Sequence, residues 1–424
     1  MKPYCSLRLL RRVAPLILIF ALVAVPGLAP AKNPKHVEPK KPAPTVLPQQ
    51  IVRYHFDDPH TRAGFDHFYN LEYDKAIKEF ETALEAHPDD AFAVNHVLTG
   101  VLFKEMYRIG ALDSELYAKE GFLTSQQYPI DQKTKDRIKS LMEQSLQLSE
   151  AKLKQNPNDA DALYARGVTR GLKSTYMALI EKAWFSALRS AVGARHDHER
   201  VLELDPKYTD AKMIVGMHNY VIGSVSWAVK VAASIVGLSG SREKGIQYLY
   251  EAANGGGEAA VDAKIALALF LRREQRYPEA IKLIEGMSES YPHNFLMALE
   301  LAHLYNASGR APDAITAFHK ILKAAEVGAY PDAHIEMAWY GLGEALRGQR
   351  EIPDAAAAYE KVLEFQKTDP DLRLRATLGA GEMYDVLQRR DDAVKRYQAV
   401  LAADKDSPKA ELARKHLKEP YRLM

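Results

Sequence analysis

Cysteine is almost missing from this chain: one residue, Cys5, in 424. That excludes an internal disulfide framework and a Cys-ligated metal cluster. An excess of either charge is missing too. Lys and Arg number 57 against 55 Asp and Glu, so no basic field exists to draw nucleic acid or an anionic membrane as a default partner. No H-E-x-x-H, C-x-x-C, G-x-S-x-G or G-x-x-x-x-G-K-S/T pattern occurs. The sequence therefore assigns no catalytic, cofactor-binding or metal-ligating residue, and the expected function is not enzymatic. The uncharged run Val13 to Val25 is shorter than the roughly 20 apolar residues of a spanning helix and is closed by Pro26.

That run has its own meaning. Lys2, Arg8, Arg11 and Arg12 precede it, and Ala29-Pro30-Ala31 follows. A basic start, a short apolar stretch and small residues at the end read as a secretory signal peptide over residues 1–31. Its cleavage removes Cys5 and moves the formal net charge from +2 to −2. The expected location is periplasmic or secreted, with an uncleaved anchor as the lesser alternative. Residues 32–50 hold Pro34, Pro39, Pro42, Pro44 and Pro48 among lysines, a composition for a semi-extended linker rather than a core.

What fills the rest is repetition. Ala268 and Ala302, and Ala280 and Ala314, stand thirty-four residues apart, each pair among large apolar neighbours at helical spacing. A fixed interval of this size predicts helical units that bury their cores only against one another. Pro88-Asp89-Asp90, Pro157-Asn158-Asp159 and Pro292-His293-Asn294 each end one helix and cap the next. Small and aromatic residues recur in register at Gly64, Tyr73, Ala76, Phe80 and Ala83, at Leu301, Tyr305, Gly309, Ala314 and Phe318, at Leu342, Gly343, Ala355 and Tyr359, and at Gly381, Tyr384, Ala393 and Tyr397.

On these residues the chain resembles the tetratricopeptide repeat (TPR) family over most of 57–406. The resemblance implies an all-α fold, a right-handed α-solenoid of helix-turn-helix repeats, that holds a protein or peptide partner. The expected organisation is 51–258 for repeats with long helical insertions in the middle, 259–406 for regular repeats, and 407–424 for a capping helix and tail. In that capping helix Leu412, His416 and Leu417 form the expected apolar stripe.

Departures from the regular spacing are informative. The small residues of paired helices stand twelve apart in Gly64/Ala76 and Gly343/Ala355, but twenty-seven apart in Gly167/Ala194 and twenty-nine in Gly216/Gly245. A further expansion covers Arg108 to Lys133. The inserted material predicts lengthened or additional helices, with one apolar stripe from Tyr176 to Ala191 and another from Val225 to Val236. Around Val236 to Ala253 the sequence also resembles the tetratricopeptide repeat domain 39 family.

The family's partner face is made by the first helix of each pair. Here that helix offers Phe65 and Tyr69, then Arg272 and Arg273, then His303 and Asn306, then Tyr340, Glu344 and Arg347, then Glu382 with Asp385. Aromatic and arginine side chains on such a face suit partner anchoring. The alternative is a small-ligand or membrane-peripheral site in the inserted segment 108–245, although membrane contact is disfavoured by His218, Asn219 and Lys230. His196-Asp197-His198 reads as a polar helix surface rather than a metal motif, because residues two apart on a helix diverge; His198 takes the place that Phe80 holds in the first unit. Asn254-Gly255-Gly256-Gly257 reads as a flexible link, with an anion cradle as its alternative.

Overall fold

A computed structural model of the chain describes residues 58–112, 130–225, 239–330 and 333–423. The leader and linker, most of the Arg108-to-Lys133 expansion and the stripe beyond Val225 lie outside the described residues. Within them the structure is all-α. The helices are α1 (Pro59–Tyr69), α2 (Tyr73–Ala86), α3 (Ala91–Arg108), α4 (Gln132–Gln155), α5 (Ala160–Leu179), α6 (Trp184–Leu204), α7 (Ala211–Ser224), α8 (Arg242–Ala253) and α9 (Ala260–Arg273). They continue as α10 (Tyr277–Ser290), α11 (Phe295–Ala307), α12 (Ala311–Glu326), α13 (Ile335–Gly348), α14 (Ile352–Glu364), α15 (Pro370–Val386), α16 (Arg390–Ala403) and α17 (Pro408–Lys418).

Two compact units divide the chain, unit 1 up to Phe270 and unit 2 from Leu271, so the division falls inside α9. Each is a run of α-solenoid. Successive helices pack as antiparallel neighbours, and first helices also lie side by side, α1 with α3 and α3 with α5 in unit 1, and α11, α13, α15 and α17 in series in unit 2.

The helix starts follow the local chemistry. Asp90, Asp159 and Asn294 accept hydrogen bonds from the amides of Phe92, Ala162 and Met297 at 3.0, 2.9 and 3.0 Å. These are the residues expected to cap from their Pro-x-x settings, and each such cap contributes about 1 kcal/mol. The turns within repeats are equally regular. Leu71, Gln275, Gly309, Arg350 and Gln388 all adopt positive φ, between 58° and 80°. In each turn the next amide reaches back to a carbonyl five residues earlier, as from Glu72 to His67 at 2.9 Å and from Glu351 to Leu346 at 3.0 Å. This is the Schellman arrangement, in which glycine is the unstrained residue. Only one of the five turns uses it. Replacing the exposed Arg350 by Gly should therefore stabilise the protein by about 0.5–1 kcal/mol, the relief of left-handed backbone less the added chain entropy. Gly309→Ala should cost a similar amount, and paired thermal melts read both.

Small residues set the packing distance inside each hairpin. A β-carbon on Gly64 would lie 2.4 Å from the Phe80 ring, one on Gly343 2.8 Å from Tyr359 and one on Gly381 2.8 Å from Tyr397. The aromatic ring of the second helix fills the notch left by the glycine of the first. In the stretched unit His198 does the same against Gly167, again at 2.4 Å. The extra length there goes into the helices themselves: α5 and α6 run 20 and 21 residues, roughly 30 Å each. Ala178 and Ala187 close their far end with Met177, Trp184 and Leu188 packed around.

Three expectations change. His196 is exposed, but His198 is fully buried and Asp197 is 4% exposed, so only the first residue of the His-Asp-His run is polar surface. Arg166 and Arg170 both donate to the Asp197 carboxylate, and the charge is buried because it is paired. In α17 the buried residues are Ala410, Ala413 and His416, whereas Leu412 is exposed. Close approach of the helix selects small side chains there, and the larger Leu412 faces out. Lastly, the glycine loop is a close-fitting wrap. β-Carbons on Gly255 and Gly257 would strike Thr209 and the Asp210 carboxylate. That carboxylate accepts the amides of Glu258 and Ala259 just ahead of α9, so the chain's own acid occupies the place where an outside anion would sit.

Candidate partner-binding face

The residues selected from the sequence divide by unit. In unit 1, Phe65 packs its ring 5.1 Å from Phe80 and 5.0 Å from His96, and Tyr69 is buried with its hydroxyl on the Asp262 carboxyl. Both belong to an aromatic core rather than to an open surface. In unit 2, Arg272 donates to both Glu300 oxygens at 3.2 and 3.0 Å, His303 stands edge-on to Phe318, and Asn306 is half-buried, as is Arg273.

Farther along unit 2 the structure brings four of them together. Tyr340, Glu344 and Arg347 lie on α13, and Glu382 lies on its neighbour α15. The spacing of seven from Tyr340 to Arg347 puts them on one stripe of the helix. Arg375 on α15 lies over the Tyr340 ring, 4.6 Å from its centroid, and the Tyr359 hydroxyl donates to Glu344 at 2.5 Å. Arg347 pairs with Glu382 at 2.8 Å. His416 of α17 approaches the other Glu382 oxygen at 3.5 Å. Burial first, resisted by Arg347, raises the Glu382 carboxyl to about 7.

Asp385, one turn on from Glu382 in the same face, is the hub. Its side chain is 1% exposed. It accepts Arg390 Nη1 at 2.8 and 3.0 Å, the Tyr397 hydroxyl at 2.8 Å and the backbone amide of Tyr421 at 2.8 Å. Arg390 Nη2 in turn donates to the carbonyls of His416 and Leu417, which ties the end of α17 to this face. Arg375, Arg390 and Tyr421 escaped the sequence reading. Arg390 opens a second helix rather than a first one, and Tyr421 follows the helix-stopping Pro420. A sign of Tyr421 was there: it is the only aromatic residue after Tyr397.

Hence the face is a lattice of guanidinium, carboxylate and phenol groups, each held by its neighbours. Such pre-paired groups suit recognition of a polar chain, because little side-chain freedom remains to be lost on binding.

Residues 299–371, which include Tyr340, Glu344, Arg347 and Tyr359 of this face, match a family model described as tetratricopeptide repeat. The chain carries tetratricopeptide repeats. A second model, regulator of microtubule dynamics protein 1-3, matches residues 102–295. That is the model covering the Val236-to-Ala253 segment, in place of the domain 39 family. No curated protein sequence matches the TPR chain. Among solved structures, Cut9 with Hcn1 from the APC/C aligns at 14% identity with TM-score 0.47, covering 84% of this chain and 54% of that one. The TPR protein thus spans about half of that Cut9 chain. Yeast Tom70 aligns at 12% identity with TM-score 0.40, covering 85% and 82%, and YrrB, a TPR protein with a peptide-binding site, at 15% with TM-score 0.34, covering 51% and 97%.

One buried group near the stretched hairpin of this TPR protein carries a pH signature. His198 Nδ1 bonds the Ala194 carbonyl at 2.7 Å, so the neutral ring carries its proton there, and burial lowers its pKa to about 4. A depressed base contributes stability above its unfolded pKa near 6.5 and loses it as pH falls toward 4. His198→Phe, which copies Phe80, should remove that loss. The variant should gain about 2 kcal/mol over the parent at pH 5 relative to pH 7.5, read by denaturant melts.

Proposed function

We propose that the chain is an exported scaffold that holds protein partners in the cell envelope and has no catalysis of its own. The observation that carries this reading is the connected face of α13 and α15, where aromatic rings, paired arginines and buried carboxylates stand ready within TPR repeats. Export rests on the basic leader, the short apolar run and the absence of cysteine after Ala31. Among the described residues no helix is long and apolar enough to cross a membrane.

The test uses the mature chain as bait in an envelope extract, beside a variant carrying Tyr340→Ala and Arg375→Glu. The expected result is a partner retained by the parent and lost from the variant, with unchanged helical content in both. Failure of the parent to retain any protein overturns the reading. N-terminal sequencing of the exported chain should begin at Lys32; an intact Met1 would refute cleavage.

A second reading has one specific observation. Phe185 is 75% exposed beside Trp184, at the tip of the lengthened α5/α6 hairpin. The exposed Phe185 ring there, backed by the packed Trp184, would touch a lipid interface. Flotation with vesicles of zwitterionic lipid, compared with Phe185→Ser, decides it: no flotation of the parent removes this reading.

A further inference from the structure

We propose that residues 419–423 are a resident occupant of the unit 2 face, and that the partner segment which displaces them is extended and carries a tyrosine. The inference rests on the reading of this face as the partner site and specifies what it takes.

The segment leaves α17 at Glu419, and Pro420 prevents the helix from continuing. Its next residue then makes contacts of the kind a bound peptide makes. The Tyr421 backbone N–H donates to Asp385, its hydroxyl accepts Arg347 Nη2 at 2.8 Å, and its ring lies 5.3 Å from the same guanidinium. On the other side the ring stands at 84° to the His416 ring, 5.2 Å away. Three first-layer helices, α13, α15 and α17, thus form one tyrosine seat.

The seat does not depend on its occupant. Without Tyr421, Arg347 keeps Glu382 and Asp385 keeps Arg390 and Tyr397. No buried charge would be stranded by its departure, so exchange for another segment costs little beyond the contacts themselves. The outer parts of the segment bury little as well: Arg422 is exposed and Leu423 only half-buried. What the seat demands is also plain. Asp385 is an acceptor facing the ligand backbone and requires an N–H. Arg347 donates to a hydroxyl, and the adjacent Glu382 and Asp385 disfavour an acidic side chain at this spot.

A tethered occupant acts at an effective concentration of about 1 mM, so for a seat whose intrinsic Kd is about 0.1 mM or tighter it should weaken binding of a competing segment by about tenfold or more. The probe is a fluorescein-labelled peptide with the sequence of residues 418–424, followed by anisotropy. The full chain, the full chain with Tyr421→Ala and the chain ending at Glu419 are compared, with helical content and melting recorded for each. Both altered chains should bind the peptide at least tenfold more tightly than the parent. Phenylalanine in place of the peptide's tyrosine should weaken binding, and alanine should abolish it. Equal binding by the parent and Tyr421→Ala, or no binding by a folded Tyr421→Ala chain, overturns the proposal. If envelope partners are still captured through Tyr340 and Arg375 in that event, the scaffold reading stands and this inference alone falls; if capture fails too, both fall.

Discussion

Valine in place of Gly245 should destabilise unit 1 by more than about 3 kcal/mol. A β-carbon at Gly245 would lie 2.4 Å from the Tyr220 nitrogen, 2.7 Å from its Cα and 2.7 Å from the Gly216 carbonyl oxygen. All three are backbone atoms of α7, so no rotamer change relieves the clash and the helices must part. Parting would uncover Leu249, Ala252 and Tyr220, all buried within 1% of complete. Gly171→Ala in α5 is the control, since nothing lies within 4 Å of its added carbon. That change should stabilise by up to about 1 kcal/mol through helix propensity. Thermal melts give the magnitudes, a loss of 3 kcal/mol corresponding to roughly 6–12 °C. Hydrogen exchange should show the loss of protection in α7 and α8. A Gly245→Val chain that melts with the parent would mean that the two helices do not touch as described.

Asp385→Ala should cost about 3–5 kcal/mol, because it strips a buried carboxylate from partners that remain. Arg390 would keep its bonds to the α17 carbonyls but lose its counter-charge, and the Tyr397 hydroxyl would be left buried without its acceptor. Asp385→Asn keeps the shape and one acceptor oxygen and should cost less. Denaturant melts rank the two. Exchange protection should fall first in α16 and α17, which Asp385 holds through Arg390 and Tyr397. If both variants matched the parent, the carboxylate would not be the hub of this network.

Both predictions touch residues already visible in the sequence, yet for different reasons. Gly216 and Gly245 stood out as the small residues of one stretched repeat, twenty-nine apart. The structure places them against each other, with the carbonyl of Gly245 3.0 Å from where a β-carbon of Gly216 would be. Register of this kind is legible because a helix pair reuses one packing solution, and the solution needs a small residue at a fixed place. His198 was legible in the same way, as the counterpart of Phe80, but its burial was not. A histidine reads as polar until its neighbours are known, and here they are the Gly167 notch and the Tyr164 ring 5.1 Å away.

The candidate face was half legible. Tyr340, Glu344, Arg347 and Glu382 followed from the position of the first helices. Phe65 and Tyr69 followed from the same rule but pack into an aromatic cluster, because in unit 1 α3 lies beside α1 and brings His96 against Phe65, which in turn stacks on the buried Tyr69.

By itself, the sequence determined the repeat: thirty-four-residue spacing, caps at Asp90, Asp159 and Asn294, and an all-α fold. These are local properties, set by helix period, side-chain size and capping chemistry within some forty residues. Tertiary structure decided what the chain's own groups do to one another across larger separations. Asp210 fills the end of a helix ahead of which the sequence shows only glycines, and Tyr421 reaches back seventy-four residues to Arg347. Such pairings depend on where successive hairpins place their ends, and no local period encodes that.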